Sequence, residues 1–412
     1  MRQDDQSVPG TKTRHQNAAP VVLDAAAGTM SQMSIPWTPG LGLRCPACAW
    51  SGPPELHPSG CPECGHPLET TYPADARWRI ALPAAALTDL GRTATPLLAV
   101  PGDPATYLKL ESRNPTGSHK DRFHMVGAAI ARAAGAPGTF TTSTGNHGVS
   151  CAAHAAREGL ACVVLSTSAL PHPLAVQLNA HGAIVGRLDP AGQRRTVEEL
   201  TARGWFAATS SDPQLTGAST PFGTDGYRLV VDEIVESLGR LPDVVSVPCA
   251  GGDTLVGLRR GLDDAAARAG TPPVTLLACE PTGADALARS VAAGRPVEVA
   301  DPHSIARSTA DTSVGRLAIA AASRDGAPVV VTDDAIAAET RALARTGLYL
   351  ETSSALALAG IHQARRDGVI TAGALAVAVL TANGRGWSEN EPGLFDVEFA
   401  DDVDGLLRAI ST

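Results

Sequence analysis

The sequence predicts an α/β protein in which two doubly wound parallel-sheet lobes follow a small cysteine-rich unit. Short apolar segments alternate with Ala-rich helical stretches from about residue 95 onward, which is the pattern of βαβ units. The apolar segments lack regular polar alternation, so we expect helices to cover both faces of each sheet. The 412 residues also exceed the size at which one hydrophobic core usually stops growing.

Changes in composition along the chain predict four segments. Residues 1–40 are polar and Pro-rich without periodicity, which is typical of a flexible leader. Residues 41–72 form a four-cysteine, zinc-ribbon-like unit. We expect residues 73–125 and 222–412 to form the larger lobe and residues 126–221 to form the smaller α/β lobe.

Charge and hydropathy exclude two classes of partner. The net charge is -9 and no basic stripe is visible, so we expect no nucleic-acid binding. No apolar stretch reaches the roughly 18 residues of a membrane span, so we expect no membrane insertion. The first residues lack the apolar run of a signal peptide, and the cysteines are clustered or isolated in apolar surroundings. These features predict a reduced, cytoplasmic protein.

Four of the eight cysteines form two CxxC pairs that are separated by twelve residues. Two such turns can supply four thiolates to a tetrahedral Zn²⁺ ion. Because four cysteines fill the coordination shell, we expect a structural zinc ion with no open position for catalysis. The predicted ligands are Cys45, Cys48, Cys61 and Cys64.

Lysine is rare in this chain, which contains only Lys12, Lys109 and Lys120 among its 33 basic residues. Lys109 lies in a predicted strand, and we interpret it as structural. Lys120 follows the turn 114–117 (NPTG) and begins a predicted helix, where positive potential disfavours the charged amine. A lysine with a lowered pKa suits Schiff-base chemistry, which arginine cannot perform because it stays protonated.

Two polar loops downstream also join a predicted strand to a predicted helix. In the loop 142–148 (TSTGNHG), backbone N–H groups and hydroxyls suit a carboxylate at the carboxyl end of a strand. In the loop 247–255 (VPCAGGDTL), small residues allow the backbone to approach a phosphate at a helix N-terminus. One Gly-Gly turn alone is a weak signal, but its position after the lysine junction and the first loop is specific.

These motifs resemble those of the fold-type II pyridoxal-phosphate enzymes, the tryptophan-synthase-β superfamily. The segment NPTGSHKDR resembles the NPTGSFKDR box of threonine synthases, STGNHG resembles their STGN loop, and LTANGRG resembles their carboxyl-terminal LTG loop. The cysteine unit is similar to the amino-terminal ribbon of many prokaryotic threonine synthases. The resemblance covers about residues 43–390 and implies the same two-lobed fold.

The resemblance implies pyridoxal phosphate (PLP) as the cofactor, bound by the larger lobe. Lys120 would bind it covalently and later move the substrate proton. Asn146 would donate a hydrogen bond to the phenolic oxygen, the loop 250–254 would hold the phosphate, and Thr381 would face the pyridine nitrogen. The implied cofactor-binding residues are Lys120, His119, Asn146, Ala250, Gly251, Gly252, Asp253, Thr254 and Thr381.

The resemblance also implies a small amino-acid substrate whose carboxylate binds at the loop 142–148. A hydroxyl at Thr381 does not favour a protonated pyridine ring, so the cofactor would suit α,β-elimination and replacement better than transamination. Relatives are commonly dimers, so we expect a homodimer. The implied substrate-binding residues are Thr116, Ser143, Thr144 and Gly145.

Several residues depart from the threonine synthase pattern. His119 stands where those enzymes usually have Phe, and a histidine there could contact the cofactor phosphate. His147, directly after Asn146, and the segment YLETSSALALAGI are similar to serine and threonine dehydratases. Asp253 places a carboxylate in the phosphate loop, where it would repel a dianion unless it turns away or caps the next helix.

Three functions therefore remain open. The first is a threonine synthase-like reaction that takes O-phosphohomoserine, eliminates phosphate and adds water. The second is a PLP-dependent β-elimination or β-replacement on a serine- or threonine-like amino acid. The third is a non-catalytic, zinc-ribbon partner-binding protein with a relic fold, against which the intact Lys120 and Asn146 argue. A phosphorylated substrate needs further converging basic or hydroxyl groups, so arginines in the pocket would distinguish the first two functions.

Overall fold

Three β-sheets organise the part of the chain that the computed structural model describes. The described residues are 37, 39–73, 87–143, 145–166, 170–210, 212–218, 220–386 and 394. All of them fall within one compact unit, Ile35–Thr412. Most of the predicted leader, residues 1–40, lies outside the described residues, as do residues 74–86 and nearly all of 387–412.

The first sheet is antiparallel with strand order β2-β1-β3, the second has the order β12-β11-β10-β13-β5-β4, and the third has the order β8-β7-β6-β9. The strands are β1 Gly42–Arg44, β2 Ser51–Gly52, β3 Glu69–Thr71, β4 Leu97–Val100, β5 Asp103–Lys109, β6 Gly138–Thr142, β7 Ala161–Ser166, β8 Ile184–Arg187, β9 Phe206–Ala207, β10 Val244–Pro248, β11 Thr275–Pro281, β12 Gly326–Val331 and β13 Ala376–Val379.

Helices connect most of these strands and cover the two larger sheets. They are α1 Lys120–Ala133, α2 Asn146–Arg157, α3 His172–Ala180, α4 Pro190–Ala202, α5 Pro213–Thr216, α6 Phe222–Asp225, α7 Arg228–Leu238, α8 Asp253–Ala269, α9 Ala286–Ala293, α10 Arg316–Ser323, α11 Asp333–Arg345 and α12 Thr352–Arg366. Three short 3₁₀ turns span Glu111–Arg113, Arg307–Thr309 and Gly384–Gly386. No helix among the described residues has both the length and the apolar character that a bilayer crossing requires.

The α/β class with parallel sheets is confirmed. Strands β10 (VVSVP) and β13 (AVAV) are buried at every residue, as expected for strands that are covered on both faces. The six-stranded sheet takes β4 and β5 from before residue 125 and its other strands from after residue 222, whereas β6 to β9 form the four-stranded sheet. The exact boundaries of the two lobes stay a prediction.

One pairing differs from the all-parallel expectation. Strands β4 and β5 at the edge of the six-stranded sheet are antiparallel. They are joined only by Pro101 and Gly102, and Gly102 has a φ of +81°. A parallel pair needs a crossover of a dozen or more residues, so this short turn permits only a hairpin.

The topology brings the sequence motifs together. Helix α2 follows the carboxyl end of β6, helix α8 follows that of β10, and Thr381 follows β13. In open α/β folds the loops at the carboxyl ends of parallel strands form the ligand crevice. The candidate site therefore lies where these loops meet the turn before α1.

Candidate active site

The tight turn 114–117 precedes Lys120. It packs against the carboxyl-terminal loop that contains Thr381 and Asn383. Gly117 has a φ of +84°, and a Cβ atom there would lie 2.0 Å from Asn383 Nδ2, so only glycine fits. The backbone N–H of His119 donates to the Thr381 carbonyl oxygen at 2.8 Å. The turn and the carboxyl-terminal loop thus fix the start of α1 and the position of Lys120.

Lys120 lies on the wall of a cavity of about 400 Å³. Thr144 lies outside the described residues. Thr116 is not brought to this cavity, because its hydroxyl donates to Asp121 Oδ1 at 2.5 Å and its side chain lines a second cavity. The other predicted residues at the Lys120 cavity are His119, Ser143, Gly145, Asn146, Ala250, Gly251, Gly252, Asp253, Thr254 and Thr381.

The surroundings of Lys120 favour the neutral amine. Burial lowers the pKa of Lys120, and the carboxylates of Asp253, Asp311 and Glu351 offset only part of this effect. No hydrogen bond joins Lys120 Nζ to another described residue. A larger neutral fraction makes the amine a better nucleophile and proton acceptor at ordinary pH.

The loop before α8 depends on two glycines. Gly252 has a φ of +101°, and a Cβ atom there would lie 2.2 Å from Ala318 Cβ. A Cβ atom at Gly251 would meet only Leu215 and Asp311, at 3.7 and 3.9 Å, so this backbone borders open space. The loop therefore presents main chain rather than side chain to the cavity at the start of a helix, where anions bind well.

Asp253 does not cap α8. Gly252 is the N-cap residue, Asp253 is the first residue of the helix, and no side-chain capping bond forms. The Thr224 hydroxyl donates to Asp253 Oδ1 at 3.4 Å. The prediction of a capping role is therefore wrong, because the helix begins at Asp253 itself, one residue earlier than capping by Asp253 requires. Its carboxylate still lies in the first helical turn, where the helix dipole stabilises negative charge.

Two hydroxyl groups lie together beyond the end of β13. Thr381 Oγ1 is 3.0 Å from Ser354 Oγ, and the Ser354 hydroxyl also donates to the Ala382 carbonyl oxygen at 2.9 Å. No carboxylate of a described residue hydrogen-bonds the Thr381 hydroxyl. Sequence reasoning missed Ser354, although it stands within the noted segment YLETSSALALAGI.

Asn146 is held by a glutamate that sequence reasoning also missed. Asn146 Nδ2 donates to Glu351 Oε1 at 2.6 Å, and the Ser308 hydroxyl donates to Glu351 Oε2 at 3.0 Å. These bonds orient the Asn146 amide and leave its second N–H available to a ligand. Glu351 lies in the same dehydratase-like segment as Ser354, which is the sequence signal for both.

The two histidines of the cavity are neutral. Burial lowers the pKa of His119 well below its ordinary value and lowers that of His147 to about 3. His119 Nδ1 donates to the Thr381 carbonyl oxygen at 3.2 Å, and His147 Nε2 donates to the Ala208 carbonyl oxygen at 3.0 Å. In this tautomer His119 Nε2 is an acceptor, so the predicted bond to a phosphate would require a protonated ring.

Behind the start of α1 lies an ion cluster formed by Lys109, Glu111, Arg122 and Glu233, with Arg92 at its edge paired to Glu233 at 2.7 Å. Arg122 is fully buried and donates to Glu111 Oε2 at 2.9 Å and to Glu233 Oε1 at 2.6 Å. Lys109 Nζ, also fully buried, donates to Glu233 Oε2 at 2.7 Å. Every charge here has a partner, as buried charges require, and neither basic residue lines the Lys120 cavity.

The four predicted metal ligands converge. Their Sγ atoms all lie within 4.8 Å of one another, and no disulfide joins them. Cys45 and Cys64 are 3.5 Å apart at sulfur, and Cys48 and Cys61 are 3.6 Å apart. Thiolates bound at ~2.3 Å to a tetrahedral Zn²⁺ are about 3.8 Å apart, so the cluster fits such an ion.

Comparison with known proteins identifies the family. A family model described as "Pyridoxal-phosphate dependent enzyme" matches residues 88–382. The chain belongs to this PLP-dependent family. The threonine synthase of Halalkalibacterium halodurans is 28% identical over 313 residues, which are 72% of this chain and 84% of that protein.

Two solved structures show the same fold. Maize serine racemase has a TM-score of 0.58 at 21% identity and covers 77% of this chain and 92% of its own. The processed form of threonine deaminase isoform 2 from Solanum lycopersicum has a TM-score of 0.61 at 20% identity, with coverage of 77% and 83%. At these identities the likeness supports the fold-type II architecture and not a particular reaction.

The residues present fit PLP. Tyr227 is fully buried and lines the cavity, and no hydrogen bond of normal geometry joins its hydroxyl to a described residue, although the Thr254 side chain lies close to it. Leaving a buried hydroxyl unpaired is costly, and a phosphate at the neighbouring loop 250–254 would accept its bond. Tyr227 lies between α6 and α7 and carries no motif, so no sequence signal could have identified it.

The cavity of this PLP-family protein is rich in carboxylates. Asp253, Asp311 and Glu351 line it with the single amine of Lys120, and no arginine of the described residues does. Asp311 is open to the cavity, yet surrounding protein atoms limit its hydration and raise its pKa, while Lys120 and the Gly251 N–H oppose this shift. The side chains therefore offer little positive charge beyond Lys120.

Proposed function

We propose that the protein catalyses PLP-dependent elimination or replacement at the β-carbon of a small, non-phosphorylated amino acid of the serine or threonine type. One observation carries the choice of substrate. Three carboxylates and no arginine line the Lys120 cavity among the described residues. An O-phosphorylated substrate would add a second phosphate to the one that the cofactor brings.

The electrostatic cost of a second phosphate is large. Two like unit charges roughly 4 Å apart repel by about 4 kcal/mol at the effective dielectric constant of a protein surface. Phosphate sites usually offset such repulsion with the bidentate guanidinium of arginine. The neutral His119 and His147 cannot supply this charge. A substrate whose β-hydroxyl leaves as water after protonation, or whose leaving group is another small neutral molecule, avoids this repulsion.

Different residues of the cavity would bind different parts of the cofactor. The phosphate would bind the backbone of the loop 250–254 and the Tyr227 hydroxyl. Asn146, oriented by Glu351, would donate to the phenolic oxygen, and the Thr381 hydroxyl would face the ring nitrogen. When bound, PLP withdraws electrons from the substrate Cα and so makes its proton acidic.

Lys120 and helix α2 would handle the substrate. The first N–H groups of a helix lack intrahelical acceptors, and Asn146 and His147 begin α2 on the cavity wall, so they would bind the carboxylate. The Ser143 hydroxyl accepts from the Gly148 N–H at 2.8 Å, which fixes the loop. Lys120, whose pKa burial lowers so that the neutral amine is favoured, would take the proton from Cα and return it.

A threonine synthase-like reaction is the second candidate. It is supported by the sequence relatives, which are named threonine synthases at 28% and 29% identity. The carboxylate-rich cavity argues against its O-phosphohomoserine substrate. The two candidates share the cofactor site and differ in the carbon that loses the leaving group and in the residues that hold the side chain of the substrate.

The decisive experiment incubates PLP-loaded protein separately with serine, threonine, O-phosphoserine and O-phosphohomoserine. We expect a 2-oxo acid and ammonia, or a replacement product when a nucleophile is added, from serine or threonine. Release of phosphate from O-phosphohomoserine with formation of threonine would instead establish the second candidate. Lys120→Ala protein is the control, and turnover that survives this change would contradict both.

We also propose that Cys45, Cys48, Cys61 and Cys64 bind one structural Zn²⁺. Their mutual sulfur distances support it. Elemental analysis of purified protein should find about one zinc per chain, and the double variant Cys45→Ser/Cys61→Ser should lose it. Retention of zinc by that variant would contradict the proposal. The homodimer and the cytoplasmic location stay predictions.

A further inference from the structure

A second cavity, of about 930 Å³, lies beside the Lys120 cavity and shares Asn146 with it. The turn 114–117 that leads to Lys120 forms part of its wall. Three arginines from separate segments line it, namely Arg113 in a 3₁₀ turn, Arg157 at the end of α2, and Arg385 in the carboxyl-terminal loop. We call it the arginine cavity.

The arginine cavity has no carboxylate of its own. No Asp or Glu is among its described lining residues, which also include His181. None of the three arginines forms an ion pair with a described residue, and Arg157 Nε donates only to the Asp89 carbonyl oxygen, at 3.1 Å. The nearby Asp89 carboxylate instead accepts backbone N–H bonds from its own turn, at 2.8 and 3.0 Å.

These three arginines are exposed, and they differ from the buried and partly buried arginines Arg122 and Arg316, which are paired with carboxylates. Arg122 has two carboxylate partners, and Arg316 binds Asp212 through Nε and Nη2 at 3.2 and 3.1 Å. Three arginines on one cavity wall that has no carboxylate create a positive potential that attracts anions, although Asp89 and Glu158 outside the wall offset part of the charge of Arg157. The charge of this cavity is opposite to that of the neighbouring Lys120 cavity.

We propose that the arginine cavity binds a small molecule that carries phosphate groups. The planar guanidinium fork binds phosphate oxygens in pairs, and three of them suit a diphosphate or larger group. The same wall carries Leu348, Leu350 and the half-exposed ring of Tyr349, which can pack against an apolar or aromatic portion of the ligand. The volume is that of pockets that hold ligands of nucleotide size.

Such a ligand would touch the entrance to the active site. It would contact Asn146 and the turn 114–117, whose last residue is three positions before Lys120. The site is nevertheless separate from the phosphate loop 250–254, which lines only the Lys120 cavity. Phosphate binding here therefore does not depend on which amino acid the enzyme converts.

The test is calorimetric titration of PLP-loaded protein with pyrophosphate, with a nucleoside triphosphate and with citrate, in low salt. We expect saturable binding of pyrophosphate, weaker binding of citrate, and tighter binding of the triphosphate if the Tyr349 wall contributes. Arg113→Ala, Arg157→Ala and Arg385→Ala should each weaken binding at least about tenfold, the usual cost of losing a charge-assisted hydrogen bond. Arg195→Ala, an exposed arginine of α4 away from the cavity, should leave the affinity unchanged.

Three outcomes would overturn the proposal. The first is an absence of saturable binding by every probe. The second is binding that the Arg195→Ala control weakens as much as the cavity variants do, which indicates only non-specific attraction. The third is conversion of a dimer to a monomer by the cavity variants, seen by sedimentation, without any phosphate binding to the original protein. That result would assign the arginines to a contact between two copies of the chain.

Discussion

Lys109 and Lys120 are close in sequence and close to the same helix start, yet they lie in opposite environments. Burial lowers the pKa of both amines. Lys109 donates to Glu233 and to the Thr95 carbonyl oxygen, both at 2.7 Å, whereas Lys120 Nζ has no hydrogen bond to a described residue. A paired amine is a structural cation, and an unpaired amine beside a cavity is available for chemistry.

The residues that follow Lys120 connect the start of α1 both to the cavity and to the ion cluster. Asp121 accepts from the Thr116 N–H at 2.8 Å and from the Ser150 hydroxyl at 2.6 Å, so it fixes the turn to helix α2. Arg122 points into the ion cluster. Three successive residues thus face the cavity, the neighbouring loop and the buried cluster, and the last two hold the first in place.

The largest expected effect comes from removing the cavity amine. Lys120→Ala should abolish the visible absorbance band of lysine-bound PLP and lower the turnover rate by at least about 10³-fold, because the amine also moves the substrate proton. Thermal stability should change little, since no described residue forms a hydrogen bond with the amine that the variant would break. Lys109→Met is the matched control, which should keep the band and lose stability. A Lys120→Ala protein that retains the band would refute the assignment.

Breaking the ion cluster should mainly lower stability, whereas removing Lys120 should mainly lower activity. Glu233→Ala leaves Lys109, Arg122 and Arg92 without one carboxylate each, so we expect the free energy of unfolding to fall by about 3–5 kcal/mol. Urea denaturation measures this change. Glu236→Ala, an exposed glutamate on the same helix, should change it by less than about 0.5 kcal/mol. Equal losses for both variants would show that the cluster contributes nothing specific.

The same contrast explains what sequence could predict. Lys120, Asn146, the glycines 251 and 252 and Thr381 stand in motifs at the carboxyl ends of strands, so the α/β topology alone brings them to one cavity. Tyr227 and the ion cluster could not be predicted, because each depends on contacts between distant segments. Lys109 pairs with Glu233 across 124 positions, and neither residue carries a motif.

Thr116 and Asp253 show that a sequence motif does not predict the orientation of each side chain within it. Both stand in motif segments, but the predicted roles concern where a side chain points, and this is decided locally. The Thr116 hydroxyl donates to Asp121, and Asp253 lies one residue inside the helix that it was expected to cap. A motif therefore predicted the position of the backbone in both cases without predicting the hydrogen bonds of the side chain.

A smaller effect should follow from changing the phosphate side of the cavity. Tyr227→Phe removes a hydroxyl that has no hydrogen-bond partner among the described residues, so we expect unchanged stability and PLP binding that is about tenfold weaker, the value of one hydrogen bond to a charged group. Fluorescence titration of the apoprotein with PLP measures this affinity. Tyr107→Phe, on strand β5 outside the cavity, is the control. An unchanged affinity would place the phosphate away from Tyr227.

The smallest expected effect concerns the charge that faces Lys120. Apoprotein should capture PLP faster as the pH rises through the pKa of Lys120, because only the neutral amine attacks the aldehyde. The Asp311 carboxylate stabilises the ammonium form and so raises this pKa; Asp311→Asn should therefore move the midpoint of the rate profile to lower pH. The exposed Asp301→Asn should leave the midpoint unchanged.

The direction in which Asp311→Asn moves the pH midpoint of PLP capture shows whether Lys120 or Lys109 is the reactive amine. If Lys109 were the reactive amine, Asp311→Asn would not move the profile, because the charges that act on Lys109 are those of Glu233, Glu111 and Arg122. A midpoint that moves to higher pH would mean that Asp311 does not act on Lys120 as a negative charge. A shift to lower pH, combined with an unchanged free energy of unfolding, would place the reactive amine in the cavity and not in the ion cluster.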